Sequence, residues 1–241
     1  MNHITRIVRL NFANRWTIVG LPSLIMAFVF LVNLVIWAIL VSSLSGESRA
    51  QALHGTGFSG STFYIFVYLL VLAIQVVNIT FPVALGFGAT RRDFYLGSAL
   101  TWVILSLGYG GALTVLSFIE QATGGWGFGG HMFTAVYFGE GPWYQRLFIF
   151  AGGLLFFFFI GTAAATVFVR WRAIGLTVLG AGFLLVVLLA VAAVTLTDSW
   201  AAIGNGLANA GTVGIVGWLM VPTLVAAILG FLVLSRATPK S

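Results

Sequence analysis

TIVGLPSLIMAFVFLVNLVIWAILV, residues 17–41, runs for 25 consecutive positions without a charged side chain. A hydrocarbon layer about 30 Å thick takes roughly 20 apolar residues in helical form, so this stretch is long enough to cross a bilayer. Five further windows meet the same requirement, at 62–85, 95–119, 147–169, 173–197 and 212–235. Pro82, near the end of the second window, predicts a kink or a helix stop there. The segments between the windows are 42–61, 86–94, 120–146, 170–172 and 198–211, and none is long enough to fold as a soluble domain. The spacing predicts an all-α integral membrane protein with a six-helix transmembrane domain over 17–235. A leader, 1–16, precedes that domain and a short tail, 236–241, follows it.

Composition requires the same solvent. Hydrophobic residues make up 60% of the chain and charged residues 7%, against about 25% charged in soluble domains. So few charges cannot cover a water-facing surface, and lipid has to be the main surrounding. There is no cysteine, which excludes a disulfide framework, a thiolate metal site and a thiol nucleophile.

The charges that remain are sorted by segment. Arg6, Arg9, Arg15, Arg91, Arg92, Arg170, Arg172, Arg236 and Lys240 fall in alternate segments, nine of the eleven basic residues. The other segments hold only Arg49 and Arg146, with Glu47, Glu120, Glu140 and Asp198. Lys and Arg are retained on the cytoplasmic side, so the pattern predicts both termini in the cytoplasm and a multi-pass protein of the cell membrane. The formal charge of +6 is then a topology signal, and no nucleic-acid partner is expected.

Wound as a helix, Met1–Trp16 places Ile4, Ile7, Val8, Leu10 and Phe12 on one side and Asn2, Arg6 and Arg9 opposite, while Asn11 and Arg15 project from the apolar side. Such a helix is expected to lie in the headgroup plane as an amphipathic interfacial leader; a solvated basic leader is the alternative. The apolar stretch that follows exceeds the 7–15 residues of a secretory signal, and reads as a retained anchor.

Several chemistries are missing. No window carries Asp, Glu, Lys, Arg or His in its middle, where ion-coupled transporters place relays and substrate partners. The single lysine, Lys240, lacks the glycine-rich approach of a P-loop. Three weaker signals have plainer readings. Gly57-Phe58-Ser59-Gly60 resembles a serine-protease motif, yet no span holds a histidine to act as base, so a flexible loop is the better account. His54 and His131, with Glu120 and Glu140, lack metal-ligand spacing and read as surface residues, so no metal site is assigned. Gly108-Tyr109-Gly110-Gly111 lies inside a span and reads as helix packing. No catalytic residue is assigned, and the chain is not expected to be an enzyme.

The second window has a polar row of its own. Tyr64, Tyr68, Gln75 and Asn78 share one helical face, with Pro82 continuing it. Polar groups facing lipid are costly, so the row is expected to face a translocation path or a partner subunit, or to hydrogen-bond within the bundle.

Gly86-Phe87-Gly88-Ala89-Thr90-Arg91-Arg92-Asp93-Phe94 resembles the first cytoplasmic loop of type-2 ATP-binding-cassette export permeases. Two residues, Ala89 and Thr90, separate Gly88 from the arginine pair here. Phe168-Val169-Arg170-Trp171-Arg172-Ala173-Ile174-Gly175 is similar to the basic hairpin between the fourth and fifth helices of bacterial members. The whole architecture follows theirs: leader, six spans, short first cytoplasmic loop, longer outer loop after the third helix. The resemblance implies that Thr90, Arg91, Arg92, Asp93 and Phe94 form a coupling helix against a separate ATPase subunit. That partner would hold ATP and magnesium, and this chain no cofactor. It also implies a second permease subunit, identical or related, and an amphiphilic or hydrophobic cargo. Without the resemblance, Arg91 and Arg92 read as a positive anchor on lipid phosphates. Two other functions fit the same features: a gradient-independent channel or facilitator, and a scaffold or immunity-type membrane protein that only binds a partner.

Overall fold

Long apolar runs in lipid satisfy their backbone polar groups internally, so they wind into helices. A computed structural model describes residues 3–236; Met1, Asn2 and the tail beyond Arg236, with Lys240, lie outside the described residues. The elements are α1 (His3–Asn11), α2 (Leu21–Ser43), α3 (Gly46–Thr56), α4 (Phe63–Gly86), α5 (Arg91–Ala122), α6 (Trp143–Leu196) and α7 (Trp200–Ser235), with π-turns at Trp16–Gly20 and Gly125–Gly129. Among the described residues there is no strand.

Five helical runs are long and apolar enough to cross a membrane: Trp16–Ser43, Phe63–Gly86, Arg91–Ala122, Trp143–Leu196 and Trp200–Ser235. The chain is therefore an all-helical, multi-pass membrane protein. Its outer surface agrees, because large apolar side chains such as Phe28, Phe183 and Trp218 are two-thirds or more exposed, which only a lipid surrounding makes inexpensive.

The difference from six windows lies in α6, a helical run of 54 residues that takes in both the fourth and the fifth. A straight helix of that length would reach about 80 Å at 1.5 Å per residue. Helical geometry fails inside it at Arg172, with φ 59° and ψ −150°, within the basic stretch 170–172. A second break lies in α7 at Gly211, φ 60° and ψ −179°, where the absence of a Cβ makes the left-handed φ inexpensive. The segment beyond Gly211 begins where the sixth window does.

Helices α4, α5 and α6 form the centre. Gly161 of α6 sits against α4 so closely that a Cβ would lie 2.5 Å from the Leu70 carbonyl oxygen. Gly110 of α5 meets Ala151 in the same way, at 2.9 Å. Small residues permit this approach, and aromatic rings fill the space beside them. Trp102 stacks on Phe158 at 4.8 Å. Phe66 opposes Gly153 while Leu70 and Ala73 oppose Gly161, so α4 and α6 run parallel. Trp102 opposite Phe158 and Gly110 opposite Ala151 make α5 antiparallel to both.

The leader is shorter than expected and is docked. Ile7 is 3% exposed and lies over Gly97 of α5, where a Cβ would come within 2.6 Å of its own Cβ. Asn11, which the amphipathic pattern left as a misfit, is buried; its Nδ2 donates to Thr101 Oγ1 at 3.2 Å, with Ser98 Oγ at 3.5 Å. Arg6 and Arg9 stay exposed. The apolar side of α1 is thus spent on protein.

Candidate functional site

The turn between α4 and α5 is built from its own residues. Gly88 takes φ +79°, and Thr90 then caps α5: its Oγ1 accepts from Asp93 N at 3.1 Å and donates to Asp93 Oδ2 at 2.8 Å. The pairing satisfies an otherwise unpartnered N–H and sets a carboxylate at the positive end of the helix. Arg91 Nη1 donates to the Ser235 carbonyl at 3.2 Å, closing the end of α7. Phe94 is fully buried, edge-to-face with Phe81 at 5.2 Å. Its ring is part of the core of this chain. Thr90 and Arg92 are the exposed members of the set, and Arg92 is its exposed charge. It stands at the mouth of a groove of about 530 Å³ between α5 and α7, lined by Tyr95, Leu96, Leu224 and Phe231 among others.

Parallel packing of α4 and α6 brings Arg170 to the end of the bundle where α4 finishes, and Arg236 follows Ser235 there. Arg170 lies over the Trp171 ring at 4.5 Å. Arg91, Arg92, Arg170 and Arg236 so form one basic end, with Asp93 its acid.

The polar row on α4 divides in two. Tyr64 donates its hydroxyl to the Pro22 carbonyl, and Tyr68 to the Thr17 carbonyl at 3.3 Å. Pro22 explains why the Tyr68 donor is needed. It has no N–H, so it can serve neither Ile18 O in an α-helical register nor Thr17 O in the wider register of the π-turn. Tyr68 takes the second of these carbonyls and Tyr109 of α5 takes the first, at 2.9 Å. Tyr64 and Tyr68 are therefore bundle hydrogen bonds. Farther along, Gln75 is exposed and makes no hydrogen bond among the described residues. Asn78 Oδ1 is buried without a partner, and Pro82 has no N–H to return to the Asn78 carbonyl. Gln75 and Asn78 form the part of the row that the chain does not satisfy.

The far end of α5 is held by long-range contacts that spacing does not reveal. Glu120 is 1% exposed and accepts from the backbone N–H of Met132, Phe133 and Thr134, from Thr134 Oγ1 at 2.6 Å and from Trp126 Nε1 at 3.0 Å. Arg146, equally buried, donates to Gly141 O, Ser117 Oγ and Gln121 Oε1, and its guanidinium lies 4.3 Å from the Phe118 ring centre. Tyr137 donates to the Ser59 carbonyl, and burial pushes its phenol above the ordinary value, which keeps it a neutral donor. Gly130 admits Trp37, whose ring would lie 2.1 Å from an added Cβ. The signal in the sequence was an acid at a helix end, followed by a glycine-rich segment whose backbone could wrap it.

Of the four residues weighed as a metal set, His54, His131 and Glu140 line one pocket, while Glu120 lies beneath it. No group of three metal-ligating side chains with suitable geometry occurs among the described residues.

Compared with family models, curated proteins and solved structures, the chain gives no significant match to any of them.

Proposed function

We propose that this chain is the transmembrane permease subunit of an ATP-driven exporter of the type-2 ATP-binding-cassette class. In this reading α6 is two spans folded at Arg172, giving six in all, with both termini cytoplasmic and the basic end of the bundle inside the cell membrane. A separate ATPase subunit holds ATP and magnesium, and a second permease subunit completes the path. Cargo is amphiphilic or hydrophobic, since the spans offer no charge to pair with an ion. This chain does no chemistry itself.

The observation that carries the reading is the Thr90-capped turn at the basic end. It presents Arg92 on a rigid first helical turn, while Arg91 ties that turn to the end of α7 and Phe94 ties it to α4. A push on this turn therefore reaches three helices, as a coupling element requires. Gln75 and Asn78, left unsatisfied on α4, mark the face toward the path or the second subunit.

The test is gentle detergent purification of the tagged protein from its native membrane, followed by mass spectrometry and an ATPase assay. A stoichiometric P-loop subunit with vanadate-sensitive hydrolysis is expected, and R92E should abolish the association while membrane insertion persists. Recovery of the pure chain without an ATPase under several mild conditions would overturn the reading in favour of a channel or scaffold.

A further inference from the structure

The pocket opposite the basic end carries an inference independent of the exporter reading. It measures about 270 Å³ and lies between the end of α3 and the 131–140 loop, with His54, Gly57, His131, Thr134 and Glu140 in its wall. Two hydrogen bonds fix the walls: Val136 N donates to Gly57 O at 3.0 Å, and His131 N donates to the Thr56 side chain, Oγ1, at 3.0 Å.

Proton bookkeeping fixes the state of His131. Glu120 receives three backbone N–H groups and the Trp126 ring N–H on its two oxygens, so it acts as an acceptor only. Thr134 Oγ1, 2.6 Å from Glu120 Oε1, must spend its single proton on that carboxylate. The same hydroxyl lies 3.0 Å from His131 Nδ1, and with its proton gone it can only accept. Nδ1 therefore carries the hydrogen, and in the neutral ring Nε2 keeps a free lone pair. Glu140 is exposed and has no hydrogen-bond or ion-pair partner among the described residues. His54 makes only a ring contact, 6.0 Å from Phe58.

The pocket thus offers three uncommitted acceptors and no lysine or arginine. A ligand that fits must bring positive charge and several donors. An anion would face Glu140 with the Glu120 carboxylate behind it. A directly chelated metal finds no three-residue ligand group here. A primary ammonium brings one charge and three N–H donors on a single atom. We propose that this pocket binds a small protonated primary amine, with Glu140 as counter-charge and His131 Nε2 as a fixed acceptor oriented through Thr134 and Glu120.

The test uses the full-length protein in detergent with its histidine rings labelled with ¹⁵N. The chain has only three histidines, so replacing each by glutamine assigns the signals. At about pH 8 histidine is neutral and an alkylamine is protonated. His131 is expected in the Nδ1–H form, kept in T134S and lost in T134V. Propylammonium should shift the His54 and His131 signals saturably, with half-saturation raised at least tenfold in E140Q; propanol should leave them unmoved. An Nε2–H ring at His131, an equal response to propanol, or no effect of E140Q would overturn the proposal. Saturation by zinc ion with propylammonium silent would also overturn it, in favour of a metal site.

Discussion

The two ends of α5 carry much of the polar chemistry around the bundle, and they are built on opposite plans. At Arg91–Phe94 the cap is local, Thr90 with Asp93, while Phe94 packs on Phe81 of α4 and Arg91 reaches the Ser235 carbonyl of α7. One cation, Arg92, stays exposed. About 48 Å away along a helix of 32 residues, Glu120 and Arg146 are buried and engaged by residues 5–29 positions distant. One terminus keeps a charge free, whereas the one that holds a long loop spends its charges on the chain. The lesson is that charge alone does not mark function in such a protein; what matters is whether the charge is already committed.

The largest difference between the two ends is the side of the membrane that each faces. The chain has no cysteine, so single cysteines report without background. A cysteine at 131 should react with an impermeant thiol reagent in whole cells, and one at 92 should not. This is an all-or-none difference read by mass shift, and the reverse pattern would invert the topology.

Next in size is removal of the committed carboxylate. Glu120→Ala leaves three buried backbone N–H groups and a Trp126 ring N–H without their acceptor. Each unsatisfied buried donor costs roughly 1–3 kcal/mol, and partial rearrangement of the loop reduces the total to about 4 kcal/mol. Thermal unfolding in detergent should fall steeply for E120A, while R92E should unfold within about 0.5 kcal/mol of the parent, as exposed substitutions generally do. Equal effects at the two ends would mean that Arg92 is committed after all.

How much of this was legible depended on the range of each interaction. Apolar length places the helices well, because each crossing is a property of its own residues; even the break at Gly211 coincides with the start of the last window. The docking of α1 was not legible, since it rests on Ile7 meeting Gly97 across the fold. The polar row on α4 was visible as a row, but its halves were not distinguishable. Tyr68 is explained by Pro22 in another helix, and only adjacency reveals which carbonyls that proline leaves bare. Glu120 read as an outer surface acid because nothing local shows the 132–134 backbone turning back onto it. Thr90 and Asp93 were picked out for a coupling role, and the shorter-range explanation, an N-cap, was present in the same Thr-x-x-Asp spacing.

A middle-sized effect tests the account of Pro22. Tyr109→Phe keeps the ring and removes the hydroxyl that serves Ile18 O, leaving a carbonyl bare in apolar surroundings. Interhelical hydrogen bonds in membranes average about 0.6 kcal/mol and reach about 1.7. A value within that range is expected here. Pro22→Ala restores a backbone N–H, so the penalty of Y109F should shrink below about 0.5 kcal/mol in the P22A background. A cycle showing no coupling would mean that the tyrosine and the proline act independently.

The smallest effect is at the exposed cap, and it separates stability from coupling. Thr90→Ala removes the acceptor for Asp93 N, a loss worth about 1 kcal/mol at a typical N-cap, whereas T90S keeps the hydroxyl and should cost less. The global core around Phe81, Phe94 and Trp102 is untouched, so T90A should lower the unfolding temperature by only a few degrees. Its local consequence is larger, because Arg92 sits on the turn that the cap initiates. If that turn must be rigid to transmit force, T90A weakens ATPase association and T90S restores it, while both variants retain nearly parental stability. If T90A and T90S bind the ATPase alike, the cap serves the helix alone, and the exposed charge of Arg92 is sufficient without a fixed geometry.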